Sequence, residues 1–170
     1  MEHLNTLQDL FVHDLRDLYS AETQMVQALP KMAEAATSLD LRDAFNDHLE
    51  ETRNHVQRLE RIFSNMGIQA GGVTCEAMKG LIEEGNKVIR AQGDRTVKDA
   101  ALIGAAQRIE HYEIAGYGTA RAYAEQLDND TAADLLDETL DEEADADDRL
   151  NGLATGNLFE SGINEEAMVQ

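Results

Sequence analysis

The chain has 170 residues with one proline, one cysteine and no tryptophan, a length that suits one domain with a sizeable core. Its 34 acidic residues against 14 basic ones leave a formal net charge of −20, which repels phosphate backbones and anionic lipid, so no nucleic acid and no membrane partner is expected. The lone Cys75 excludes an internal disulfide or thiolate cluster, no stretch nears the roughly 20 apolar residues of a membrane span, and the N-terminus (Met1 to Asn5) is no signal or transit peptide, so the expected location is cytoplasmic.

Alanine, leucine, aspartate and glutamate dominate, which favours helices and leaves little for strands. Hydrophobic spacing predicts four long amphipathic helices. The first runs from about Leu4 to Ala36, with Leu7, Phe11, Leu15, Leu18, Met25, Leu29 and Met32 on one face. Pro30 should kink it or divide its last turns. The second starts near Leu39, with Asp40 as N-cap, and stops at Met66-Gly67; its stripe is Phe45, Leu49, Val56, Leu59 and Phe63. About 29 residues follow, 67–95, with a helical stretch from about Cys75 to Ala91 between glycine-containing loops. A helix of that size spans roughly 22 Å, enough to cross the length of a bundle. The third long helix covers Thr96 or Val97 to Leu127, and the fourth covers Asp130 or Thr131 to about Ala154.

Short links inside each pair and one long crossover between the pairs predict an all-α, ferritin-like antiparallel four-helix bundle with a short fifth helix in the crossover. The bundle should occupy 1–157, with 158–170 as a frayed C-terminal tail.

Several carboxylates fall inside the apolar stripes rather than opposite them. Glu22 lies between Leu18 and Met25, Glu113 lies on the line from Leu102 to Ala124 with Glu110 one turn earlier, and Glu143 lies between Leu136 and Leu150 with Asp147 one turn later. Their heights agree. Glu22 is some 15 residues before the first turn and Glu51 some 13 after it; Glu113 is 16 before Asn129 and Glu143 is 14 after. Ionised carboxylates sharing an apolar layer repel one another and each costs several kcal/mol to desolvate. Bound cations answer that problem; arginine pairing or protonation is the alternative for the same residues.

The second helix departs from a simple pattern. Its seam position at this level is Thr52, and Glu51 lies roughly 100° off the seam. Glu51 and His55, four residues apart, share one side of the helix. His48 and His111 read as ordinary, partly exposed helix residues, and His3 and His13 carry no signal. The expected site is a two-metal cage of Glu22, Glu51, Glu110, Glu113 and Glu143, with His55 or Asp147 as sixth partner. A ligand set so rich in oxygen favours iron or manganese over a structural zinc.

Asp17-Leu18-Tyr19-Ser20-Ala21-Glu22, His48-Leu49-Glu50-Glu51-Thr52, Cys75-Glu76-Ala77-Met78-Lys79-Gly80-Leu81-Ile82-Glu83-Glu84, Ile109-Glu110-His111-Tyr112-Glu113-Ile114 and Glu138-Thr139-Leu140 with Glu142-Glu143 resemble the YciF-like stress-protein family. The likeness covers nearly the whole chain. It implies a ferritin-like bundle related to rubrerythrins, usually dimeric and associated with stress, with no settled activity. Rubrerythrin-like sites use a Glu-x-x-Glu on the third helix, which Glu110 and Glu113 match. No histidine follows Glu143, helix two has Glu51-x-x-x-His55, and rubredoxin-type cysteines are absent, so peroxidase chemistry by the rubrerythrin route is not expected. Met78, Leu81 and Ile82 on the crossover must cover something, which together with the resemblance points to a homodimer. Two functions follow: a di-metal protein reacting with oxygen or peroxide, or a structural, protective dimer acting through protein partners.

Overall fold

The computed structural model describes residues 4–157 and 160–168; His3 and the N-terminal and C-terminal ends lie outside the described residues. Four long helices form: α1 (Leu7–Ala35), α2 (Leu39–Asn65), α4 (Arg95–Gln126) and α5 (Asp130–Thr155). The crossover carries α3 (Glu76–Arg90), and a single turn, α6 (Ile163–Glu166), follows. No strand forms among the described residues, which hold one isolated bridge, Gly156 to Ser161. No described helix is long and apolar enough to cross a membrane.

Helix starts follow local hydrogen-bond chemistry. Thr6 and Asp9 make a reciprocal capping box at α1. Ser38, not Asp40, caps α2, because its hydroxyl accepts from Leu41 N; Asp40 sits in the first turn, where its charge suits the helix dipole. Asp94 and Asn129 cap α4 and α5. Gly67 takes φ +68° just past α2, a left-handed exit that glycine adopts without a Cβ clash. Pro30 neither ends nor divides α1, which runs on to Ala35 with Leu29, Met32 and Ala33 buried.

The long helices pack in a ring, α1 against α2 and α4, and α5 against α2 and α4. Asp99 of α4 accepts from the backbone N–H groups of Thr37 and Ser38 at 2.9 and 2.7 Å, tying the start of α4 to the α1–α2 turn. The crossover therefore returns the chain along the bundle, and α3 covers α1 and α4 as it does so. Met78 is fully buried there, and Leu81 and Ile82 pack on the same core, so these residues cover the chain itself. The tail is not wholly frayed. Ile163 is buried and α6 rests on α4 and α5.

The core is split in two. One apolar cluster contains Met25, Leu29, Phe45, Leu102, Ile109 and Leu150, and the other Phe11, Leu15, Leu59, Phe63, Tyr117 and Leu136. Between them in sequence on each long helix come the buried polar residues Glu22, His48, Thr52, His55, Glu110, Glu113, Thr139 and Glu143. Gly116 lets α1 and α4 close around this layer, since a Cβ there would lie 2.8 Å from Leu18 Cδ2.

Candidate metal centre

The polar layer is built from all four long helices. Glu22 comes from α1, His48 and His55 from α2, Glu110 and Glu113 from α4, and Glu143 from α5. The four carboxylates and His55 are no more than 1% exposed, and His48 is 5% exposed. Their ligand-type atoms form two groups. His48, Glu110, Glu113 and Glu143 make one and Glu22, His55 and Glu143 the other, with atoms within 4.8 Å of one another in each. Glu143 belongs to both.

Each histidine is oriented from outside. His48 Nδ1 lies 3.2 Å from Glu51 Oε2, and His55 Nε2 lies 2.8 Å from Glu142 Oε2. A carboxylate only accepts, so in each case the ring nitrogen facing outward is the donor. The Glu142 carboxylate is itself gripped by Arg58, whose Nη1 and Nη2 donate at 2.5 and 2.7 Å. Arg58 first, and then His55, hold Glu142 down at about 2.

The inward nitrogens meet only carboxylates. His48 Nε2 is 3.3 Å from Glu110 Oε2 and 3.6 Å from Glu143 Oε2. His55 Nδ1 is 3.0 Å from Glu143 Oε1 and 3.4 Å from Glu22 Oε1. These are ion-pair distances, yet both nitrogens, both Glu143 oxygens, Glu22 Oε2, Glu110 Oε2 and Glu113 Oε1 are buried without a hydrogen-bond partner. Buried polar atoms left so are rare and costly. Here they gather in two places, and the donor set of carboxylates and imidazoles suits iron or manganese. The residues fit a pair of divalent ions.

Without a cation, the layer must be neutralised by protons. Burial is the largest influence on Glu113 and drives its carboxyl well above the usual range, helped by the charges of Glu22, Glu143 and Glu110. Glu143 rises to about 8, chiefly through burial. Burial acts against protonation of His55, but its hydrogen bond to Glu142 and the nearby carboxylates of Glu143 and Glu22 outweigh it and raise the ring to about 11. His48 is likewise raised, against its burial, by Glu110, Glu51 and Glu143. Glu110 stays low because the His48 charge beside it overcomes burial. Burial and neighbouring charge thus favour protons on both rings and on the Glu113 and Glu143 carboxyls.

Not every expected residue is in the layer. Glu22, His55, Glu110, Glu113 and Glu143 are brought together. Glu51 is 44% exposed and touches the site only through His48 Nδ1, as its angle off the seam dictates. Asp147 is turned about 40° round α5 from Glu143 and pairs instead with Gln107 Nε2 at 3.1 Å and His111 Nε2 at 3.3 Å. His48, expected to be an ordinary helix histidine, is buried and faces the layer. It stands seven residues before His55, so both rings project from one face with Thr52 between them, and that spacing was the available signal. Tyr117 is fully buried and its hydroxyl donates to Glu22 Oε1.

Comparison with known proteins agrees with this architecture. The chain is 45% identical over 164 residues to protein YciF of Escherichia coli K12, covering 96% of this chain and 99% of that protein. The crystal structure of that stress protein superposes with a TM-score of 0.88 at 46% identity, covering 92% of this chain and 99% of the other. YcfI of Rhodopseudomonas palustris gives 0.86 at 45% identity, with 89% and 96% covered. An Anabaena variabilis protein with a DJ-1/ThiJ/PfpI-like domain and a ferritin-like domain gives 0.59 at 15% identity, covering 98% of this chain and 39% of that one, a likeness of fold alone. Residues 6–168 match the family described as a domain of unknown function, DUF892, and this chain, with YciF as a near relative and a ferritin-like bundle as its fold, belongs to that family.

Proposed function

We propose that this protein is a ferritin-like, stress-associated metalloprotein whose mid-bundle layer holds two iron or manganese ions and reacts with a small oxidant, oxygen or peroxide. The observation that carries this reading is the convergence on two adjoining points of buried histidine nitrogens and carboxylate oxygens from four helices, at ion-pair distance but without formed hydrogen bonds.

In this reading, Glu143 is the shared carboxylate. Glu110, Glu113 and His48 complete one position, and Glu22 and His55 the other. Glu51 and Glu142 keep the outer ring nitrogens protonated and so leave the inner lone pairs free. Tyr117 holds Glu22 in place through its hydroxyl. The two apolar cores on either side keep bulk water from the layer. Iron or manganese bound there would supply electron transfer to the oxidant, chemistry that no side chain in the layer provides.

The test is elemental analysis of protein purified without chelator from cells supplied with iron and manganese, where about two ions per chain are expected. Protein carrying far less than one ion per chain, together with a Glu113→Gln variant that gains stability at unchanged metal content, would overturn the reading. The layer would then be a proton-neutralised structural network, and the protective, non-catalytic dimer would take its place.

A cytoplasmic homodimer completes the proposal. It is supported by Leu39 and Val97, 68% and 48% exposed at the end of the bundle where α2 and α4 begin. Sedimentation equilibrium at high salt should give twice the 18.8 kDa chain mass. A monomer at micromolar concentration would remove the dimer from the reading.

A further inference from the structure

The polar layer is sealed above and below by apolar side chains, so anything that binds there needs a way in from the flank. Between α2 and α5 lies a cavity of about 100 Å³ that opens to the surface. Its walls are lined by Ala44 and Ala146, one small residue from each helix, and it reaches His48 and Glu110. Those two residues are 95% and 99% buried, and His48 Nε2 and Glu110 Oε2, 3.3 Å apart without a formed hydrogen bond, both face the layer. At the surface the lining includes Glu51 and Asp145, which are acidic, and Arg149, whose guanidinium is drawn to Asp47 Oδ2 at 2.8 Å.

We propose that this cavity is the route by which a divalent cation enters the layer, passing from the carboxylates of Asp145 and Glu51, between Ala44 and Ala146, to the inner nitrogen of His48. The proposal rests on the two-metal reading and adds to it the path and the residues that set its rate. A cavity of this size holds several waters, so a cation can move inward with part of its hydration shell and exchange it for ligand atoms at the floor. The two alanines are what keep the passage open. A larger side chain at either place meets the facing helix in a close-packed interior. The acidic mouth concentrates cations locally, an effect on rate rather than on the final binding energy.

The experiment follows Co²⁺ uptake by the chelator-stripped full-length protein, using the visible absorption of the bound ion in rapid mixing and at equilibrium. Ala146→Leu should load about tenfold more slowly, because the side chain fills the close-packed passage, yet reach the wild-type stoichiometry. Asp145→Asn should load a few-fold more slowly than Glu76→Gln, which removes the same charge from an exposed site on α3. Wild-type loading rates in both Ala146→Leu and Asp145→Asn overturn the route. If Ala146→Leu loses helix content, the comparison of Asp145→Asn with Glu76→Gln decides, and equal rates overturn it. Absence of any Co²⁺ uptake by the wild type removes the two-metal reading as well as the route, whereas equal uptake by all variants removes the route alone.

Discussion

His48 and His55 lean toward each other across two turns of α2 and face opposite oxygens of Glu143. Seven residues along a helix rise about 10.5 Å, yet the ring centroids are only 6.2 Å apart. His55 Nδ1 lies 3.0 Å from Oε1 and His48 Nε2 lies 3.6 Å from Oε2. On the two-metal reading, one carboxylate between two inward-facing imidazoles would serve both positions. Glu143→Gln should therefore abolish binding at both positions, whereas Glu22→Gln, which touches one group alone, should leave one ion bound. Competition titration against a chromophoric chelator distinguishes the two. Equal losses in both variants would show that Glu143 has no special place between the positions.

On the two-metal reading protons and metal would compete for the layer, with a sign set by the raised values. In the stripped protein, His55 is held at about 11 and Glu143 at about 8, each above its ordinary value. The folded state then binds more protons than the unfolded one. Stability from His55 is full below its ordinary range near 6.5 and is lost as pH rises toward 11; that from Glu143 is full below about 4.5 and is lost as pH rises through 8. Each extra proton makes the slope roughly 1.4 kcal/mol per pH unit. The thermal midpoint of stripped protein should fall by several degrees between pH 6.5 and 8.5. Metal-loaded protein, with those protons displaced, should fall much less, and its affinity for metal should rise over the same interval. A stripped protein that gains stability with increasing pH would contradict the proton-filled layer.

The outer carboxylates should matter to binding without being ligands. Glu142 is positioned by a two-pronged contact with Arg58 and accepts from His55 Nε2 at 2.8 Å. Removing its charge frees the ring to take the wrong tautomer and weakens the basicity of the inner nitrogen. Glu142→Gln is expected to lower metal affinity about 10- to 100-fold at unchanged stoichiometry. Glu51→Gln should cost less, since its contact with His48 is longer, at 3.2 Å, and the carboxylate is 44% exposed. Loss of a whole ion in Glu142→Gln would mean that Glu142 itself binds metal.

These residues also show what a single sequence reveals. Glu22, Glu113 and Glu143 were legible because a charge inside an apolar stripe breaks helical periodicity, and counting from the turns placed them at one height. The crossover was legible from its length. His48 was not, because a histidine near a seam is ordinarily a surface residue, and only packing decides how far α2 is rotated. That rotation buries Thr52 and His55 and leaves Val56, expected in the stripe, half-exposed. Glu142 and Arg58 were hidden for another reason. They act across α2 and α5, and no spacing within either helix announces a pair 84 residues apart.

The surface charge makes a prediction independent of the site. Of its ion pairs, several lie within one helix, such as Lys79 with Glu76 and Lys87 with Glu84, on side chains more than half exposed. Such pairs contribute little, and salt weakens what they do contribute. The net charge of −20 on 170 residues leaves 20 more carboxylates than lysines and arginines to pair with them. Raising the ionic strength from about 0.01 to 1 M shortens the screening length from about 30 to 3 Å, which removes repulsion between groups that are not in contact. Repulsive pairs outnumber attractive ones, so stability should rise with salt, by several degrees in thermal midpoint between low and molar potassium chloride. The measurement belongs on chelator-stripped protein at pH 7, because bound divalent ions would already relieve part of the charge. A stripped protein that melts at the same temperature in both salts would mean that the excess charge is neutralised by other cations held on its surface.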